Sequence, residues 1–415
     1  DLLQCLVFQY DKQYLTENDT LVHVKLTTQG VQKYLSTTVN SLQQFMQNLV
    51  IPDIQMKVMG ISIMLNEIKL RNFFIPKAEI NLFKENAATG KLKDLLLDFG
   101  FQFRVQQQTY PYLADAGDGL LQLETDMILE ASPEMSITCP HHLQIKSQRF
   151  EMDIKKLRIK MNGKLEFLYD AILVPLTAAL KQMFNEQLSK AFAQDFQDLL
   201  NEVLDNNWQI TYTDGVSEIG PGGPYNGDVR WINVTINQDF ITAQQANQML
   251  KKDPNSQTIM HGWMNVTSLL TPSTVTNDHI QYQIQLGVFQ SCLNAYFDTF
   301  QSQNLTNLKA LRFTKTGLLV EASNEEFSSQ MLVKITTEVY KANDFTNDTR
   351  WVMNFQKVVF SEGNSEMALQ LKEDLHKFRY HIVAAGQLTN SIDSSRCQVI
   401  YVNENWMTVG CNIYQ

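Results

Sequence analysis

Few residues in this 415-residue chain stand at spacings that could do chemistry. His141 and His142 follow Cys139 and Pro140, a grouping of metal-ligand residue types. Two adjacent histidines on a strand point to opposite faces, however, and no carboxylate stands at ligand spacing. His376 and His381 lie five apart on a charged stretch expected to be helical, a spacing that shares a helix face poorly. Glu124 and Asp126 alternate with apolar residues, which reads as the wet face of a strand rather than an acid–base pair. The run Gly220–Pro224 lacks the Gly-Lys-Ser/Thr of a phosphate loop, and no helix is expected behind it. Neither a Gly-x-Ser-x-Gly elbow nor a His-Glu-x-x-His pair occurs. The expectation is a non-enzyme, without catalytic residues, metal or cofactor.

Two other residue counts point to a compartment. Asn-X-Ser/Thr sequons stand at Asn18, Asn233, Asn265, Asn304 and Asn347, expected glycosylation sites of a chain on the secretory route. The five cysteines are Cys5, Cys139, Cys292, Cys397 and Cys411, an odd number that leaves one thiol over or pairs between molecules. Cys397 and Cys411 flank an expected terminal hairpin with its turn near Asn403, Glu404 and Asn405, good geometry for a cross-strand disulfide. No Cys-x-x-Cys pair suggests zinc or redox use. A secreted, extracellular or lumenal protein follows, its leader removed or lying upstream of Asp1.

The net charge of −10 argues against nucleic acid, and against adhesion to anionic membranes through a basic patch. With 44% hydrophobic and 19% charged residues, the composition is that of a globular protein, and the length suits two domains. No run of eighteen apolar residues offers a spanning helix.

The elements that must position any site follow from hydrophobic period. Residues 21–26 alternate as a strand, and Thr27 or Thr28 then caps a helix to about Leu49 with the stripe Val31, Leu35, Val39, Leu42, Phe45, Met46 and Leu49. From Ile54 to about Met161 the period is two, a curved antiparallel sheet with turns expected at Gly60, Gly100, Pro111, 115–119 and Asn162-Gly163. A second helix is expected over 167–206, with Ile172, Leu176, Leu180, Phe184, Leu188, Phe192, Phe196, Leu199 and Val203 on one side. Continuous, it would be about 55–60 Å long. Such a helix on an elongated sheet either packs it fully or leaves a slot for something apolar. A linker is expected at 216–228. Beyond it lie expected strands at 229–236, 280–286, 331–340 and 351–360, and helices at 242–250, near 288–299 and at 367–381. The element order suggests a half-to-half repeat.

The stretch HVKLTTQGVQKYLSTTVNSLQQFMQNLVIPDI resembles the opening strand, first helix and exit of the bactericidal/permeability-increasing and lipopolysaccharide-binding protein family, which includes phospholipid and cholesteryl ester transfer proteins. ISIMLNEIKLRNFFIPKAEINLF is similar to its next strand pair with an inward-turning proline, here Pro76. LEFLYDAILVPLTAALKQMFNEQL resembles its long second helix, YQIQLGVFQSCLNAYFDTF the opening of its second barrel helix, and TKTGLLVEAS a strand-turn stretch. The resemblance implies an α+β fold, a boomerang of two elongated antiparallel barrels, each with a long amphipathic helix, joined by a central sheet. It implies an N-terminal lipid-binding barrel over 1–215 and a C-terminal barrel over 229–415. Helical phase selects Val31, Leu35, Leu42, Leu176, Leu180, Phe184 and Leu188 as acyl-chain contacts. Where the family joins its strand-end cysteine to the long helix, that helix here reads Leu188-Ser189, so the resemblance leaves Cys139, its match, to pair with Cys5. The family's cationic tip is missing, and the final helix of the second barrel is shortened.

The expected function is a secreted or lumenal lipid-binding, lipid-transfer protein holding phospholipid or another acyl lipid in apolar tunnels, with transient membrane contact. The alternative is a structural or interaction component of a cell-surface or extracellular assembly with protein partners. Recognition of microbial envelopes is a third reading, opposed by the acidic balance.

Overall fold

The computed structural model describes residues 9–10, 15–33, 51, 53–83, 86–137, 143–185, 193–194, 197–198, 201, 209–210, 225–253, 256–261, 276–299, 307–323, 328–343, 346–360, 379–383, 392 and 396–414. Strands β1 (Gln9–Tyr10) and β2 (Val22–Thr27) lead into helix α1, described over 28–33. Long strands follow: β3 (Ile54–Val58), β4 (Ile61–Phe74), β5 (Lys77–Phe83), β6 (Ala87–Gln107), β7 (Ala114–Met135) and β8 (Leu143–Asn162). Helix α2 (Glu166–Met183) and the short β9 (Gln209–Ile210) come next. Then come β10 (Tyr225–Ile236), β11 (Phe240–Asp253), β12 (Ser256–His261), β13 (Ile280–Gln285) and helix α3 (Leu286–Thr299). The chain continues through β14 (Asn307–Phe313), β15 (Leu318–Ser323), β16 (Ser328–Asn343), β17 (Thr346–Phe360) and β18 (Arg379–Val383) to the hairpin of β19 (Gln398–Tyr401) and β20 (Trp406–Cys411).

These strands form three sheets, and the described fold is mostly sheet with few helices. One runs β3-β4-β6-β7-β8 with β5 on β6, and another is the meander β14 to β18. The third runs β1-β12-β11-β2-β13-β20-β19, with β10 on β11 and β9 on β10. The alternation in β6 shows why the first sheet is two-faced. Leu95, Leu97, Phe99, Phe101, Phe103 and Val105 are buried, whereas Gln102, Arg104 and Gln106 are exposed. Register shifts interrupt β4–β6, β6–β7 and β7–β8, and each bulge bends and twists the sheet.

In the third sheet β2 and β13 pair antiparallel at the centre, Val24 opposite Tyr282, and each enters a helix. The first helical residues bond alike: Thr28 N–H donates to Asp239 C=O at 2.8 Å, and Leu286 N–H to Asn405 C=O at 2.9 Å. The hairpins that receive them turn alike. Asn237 Oδ1 accepts from Asp239 and Phe240 N–H, and Asn403 Oδ1 from Asn405 and Trp406 N–H, all at 2.9 Å. The two strand-to-helix junctions are therefore alike in backbone geometry.

Several expected boundaries move. Residues 242–250, rich in helix-favouring Ala, Gln, Leu and Met, lie in β11. Pairing with β10 on one side and β2 on the other overrides local propensity. His381 lies in β18, not a helix, and 367–378 fall outside the described residues. The expected linker 216–228 is undescribed up to 224, and residues 225–228 are already in β10. Gly100 and residues 115–119 are strand, with the β6–β7 turn at 108–113. A Cβ on Gly119 would stand 2.1 Å from the Phe101 ring, so this glycine lets an aromatic ring lie against the backbone.

Candidate functional site

The inner face of the six-stranded sheet is mostly apolar, with Thr125 buried among its hydrophobic residues, and α2 lies on it. The helix turns Tyr169, Ile172, Leu176, Leu180 and Phe184 inward at three- and four-residue intervals, all buried. They join Ile63, Leu65, Leu97, Phe99, Phe103 and Ile154 in one contiguous core. Phe184 stacks on Phe99 with ring centres 6.4 Å apart, and Tyr169 meets Phe103 edge-on at 5.4 Å. Val174, on the opposite side of α2, is 78% exposed.

The start of α2 is fixed by one carboxylate from β7. Asp115 Oδ2 accepts from Lys164 N–H at 2.7 Å, from Leu165 N–H at 2.8 Å and from the Tyr169 hydroxyl. An anion on unpaired N–H groups at a helix N-terminus is favourable. The Tyr169 hydroxyl and those N–H donors hold the Asp115 carboxyl below the usual carboxylate range. Burial, then the Asp115 bond, pushes the Tyr169 phenol up to about 12.

Farther along the chain, two amide side chains bond the edge of β8. Gln197 Oε1 accepts from Ser147 N–H at 2.8 Å, and Asn201 bonds both backbone groups of Ile145. Beside Asn185 lies a cleft of about 300 Å³. Ile128, Phe150, Met152, Asn185 and the carboxylates Asp126, Glu151 and Asp153 line it. Asn185 Oδ1 is buried there without a hydrogen-bond partner. Burial alone would push Asp126 up, yet the Lys155 ammonium at 2.7 Å and the Asp94 N–H hold its carboxyl below the ordinary value.

Of the residues selected by helical phase, Leu176, Leu180 and Phe184 face the sheet and Val31 is buried in α1. Leu35, Leu42 and Leu188 lie outside the described residues. Tyr169, Asp115, Gln197 and Asn201 were not singled out as site residues. Tyr169 continues the stripe one turn back from Ile172, so its spacing could have found it. Cys397 and Cys411 form the disulfide, and Cys292 is buried in α3. Cys5, Cys139, His141 and His142 fall outside the described residues. Asn18 and Asn233 are exposed, Asn347 lies in β17, and Asn265 and Asn304 are outside the described residues. Glu124 pairs with Lys156 at 2.8 Å. Among the described residues no three His, Cys, Asp or Glu side chains gather as a metal would require.

No family model and no curated protein matches the sequence. A fold comparison is decisive. The crystal structure of lipopolysaccharide binding protein aligns over 95% of this chain and 99% of its own, with a TM-score of 0.54 at 9% identity. The fold is that of lipopolysaccharide binding protein. The resemblance read from the ordered segments holds at this level. Takeout 1 from Epiphyas postvittana matches at TM-score 0.29 and 21% identity, over 43% of this chain and 89% of its own. P47 from Clostridium botulinum A2 matches at 0.26 and 9%, over 95% and 98%. Both scores are too low to carry weight.

Proposed function

We propose that this chain is a lipid-binding and lipid-transfer protein of the secretory route, without enzymatic activity, that holds phospholipid-type lipids. The acyl chains lie between α2 and the inner face of the six-stranded sheet, against Leu176, Leu180 and Phe184. The carrying observation is the five-residue inward row of α2 on a wide, mostly apolar sheet face. Each methylene moved from water into that layer gains about 0.8 kcal/mol, enough over one acyl chain for slow release. The cleft beside Asn185 supports an exit for the headgroup. The match to a protein named for binding lipopolysaccharide adds support, and the net charge of −10 favours a less anionic lipid. In this reading the halves form two elongated barrels, 1–215 and 229–415, about the central sheet. Exposed sequons at Asn18 and Asn233 and the Cys397–Cys411 disulfide support an oxidising, glycosylating compartment.

The test is photocrosslinking with a phosphatidylcholine that carries a photoreactive group on one acyl chain. Crosslinks at Leu176, Leu180, Phe184 or the facing β6 residues are expected. Labelling confined to the outer side of α2, around Val174, would overturn the placement.

A further inference from the structure

The third sheet has two unlike faces. Val22, Ile280, Ile284, Met407 and Val409 turn one way into an apolar core, whereas His23, Gln281, Gln283 and Thr408 turn the other. On this second face several buried oxygens meet at Gly410. Gln281 stands directly opposite Gly410 in the β13–β20 pair. Its Nε2 donates to Thr276 C=O at 2.7 Å and to Asp278 C=O at 3.2 Å, so turning the amide over would set oxygen against oxygen. A Cβ on Gly410 would stand 2.1 Å from Asp278 Oδ2 and 3.0 Å from Thr276 Oγ1, so both oxygens lie on the open side of this glycine. Thr408, two residues before Gly410, points to the same face. Gln281 is 1% exposed, Thr408 0% and Asp278 7%. Gln281 Oε1, Asp278 Oδ2, Thr276 Oγ1 and Thr408 Oγ1 are all buried, and none has a hydrogen-bond partner among the described residues.

Carboxylate and amide oxygens can only accept, so what they face must donate or carry positive charge. Asp278 Oδ1 takes the Asn412 Nδ2–H at 2.9 Å, but no cationic side chain pairs with this carboxylate among the described residues. Lys25, opposite Gln281 on β2, sets its ammonium over the Phe240 ring at 4.0 Å. A charge buried without a counter-charge costs far more than a lone amide, and a water molecule would fill the hydrogen bonds without neutralising it. We propose that Asp278 Oδ2, Gln281 Oε1 and the hydroxyls of Thr276 and Thr408 hold a sodium ion at Gly410. The donors are all oxygen, the set that hard cations take, and amide and hydroxyl oxygens serve without a cluster of carboxylates. One carboxylate balances one positive charge, whereas a divalent ion would leave an excess charge buried. The missing Cβ of Gly410 is what lets the Asp278 carboxylate come against β20. An ion there ties the chain entering β13 to β20. The site does not depend on the lipid-binding reading.

The experiment is thermal unfolding of the full chain in sodium chloride and in N-methylglucamine chloride, each at about 0.15 M, where both salts screen alike. Sodium should raise the melting temperature of wild type by about 2–4 °C over the organic cation. It should also slow hydrogen exchange at the Gly410 amide. Asp278→Asn keeps an acceptor for Asn412 Nδ2 and removes the charge, and both sodium effects should vanish in it. Thr276→Val removes one oxygen from a half-buried residue and should lower the sodium increment by about half or more. If Asp278→Asn does not fold, Thr276→Val decides, and an undiminished increment there overturns the site. Equal melting of wild type in the two salts overturns the proposal, and leaves the four oxygens to water. A full sodium increment in Asp278→Asn also overturns it, as does stabilisation by calcium chloride but not by sodium chloride.

Discussion

The side-chain amide of Asn201 takes both backbone hydrogen bonds of Ile145: its Oδ1 accepts the N–H at 2.6 Å and its Nδ2 donates to the C=O at 3.1 Å. It stands in for a neighbouring strand on the outer edge of β8, and two residues along Gln197 Oε1 accepts the Ser147 N–H. Gln32 on α1 bridges Ala78 C=O and Ile80 N–H of β5, at 2.8 and 2.9 Å. Gln290 on α3 bridges Leu308 C=O and Ala310 N–H of β14, at 3.3 and 2.7 Å. Gln32 and Gln290 each stand five residues past the end of their strand, β2 and β13, so α1 and α3 close a sheet edge in the same way.

Replacing Asn201 with Ala leaves both backbone groups of Ile145 without their partner. A loss of about 1–2 kcal/mol is expected, together with faster hydrogen exchange at the Ile145 amide. Unchanged exchange there would show that the amide closes nothing.

Leu180 is fully buried between α2 and the sheet, while Val174 faces outward. Leu180→Ala should cost about 2–5 kcal/mol in denaturant unfolding, and Val174→Ala within about 0.5 kcal/mol of wild type. Co-purified lipid should fall only in the first.

His23 lies in β2 with its ring 5.5 Å from that of Trp406, and burial lowers its pKa to about 4. The folded state therefore binds the proton less well than the unfolded chain. This contribution is complete above the unfolded pKa of about 6.5 and is lost as pH falls toward 4, by about 3 kcal/mol. Unfolding free energies at pH 7 and pH 4 should differ less in His23→Gln than in wild type, by that order.

The Cys397–Cys411 bridge closes a span of 14 residues and ties β20, paired with β13, to the chain preceding β19. Cys397→Ser with Cys411→Ala should destabilise by about 3 kcal/mol, read from unfolding midpoints without reductant.

What was legible in the sequence was what hydrophobic period encodes. The α2 row from Ile172 to Phe184 and the β6 alternation from Leu95 to Val105 each follow one period, and burial matches them. The terminal disulfide was legible because its hairpin is local. Residues 242–250 misread as helix because β10 and β2, which pair with them, are set by tertiary structure. Asp115 reads as part of a turn because the residues it holds, Lys164, Leu165 and Tyr169, stand about fifty residues later, and the Gln32 and Asn201 partners are 46 and 56 residues away.

The most direct test of the central claim is organic extraction and mass spectrometry of natively purified protein. At least one phospholipid per chain, reduced in Leu180→Ala, is the predicted result. A folded chain that yields no lipid in stoichiometric amount would mean that α2 and the sheet pack shut on each other, and would contradict the account.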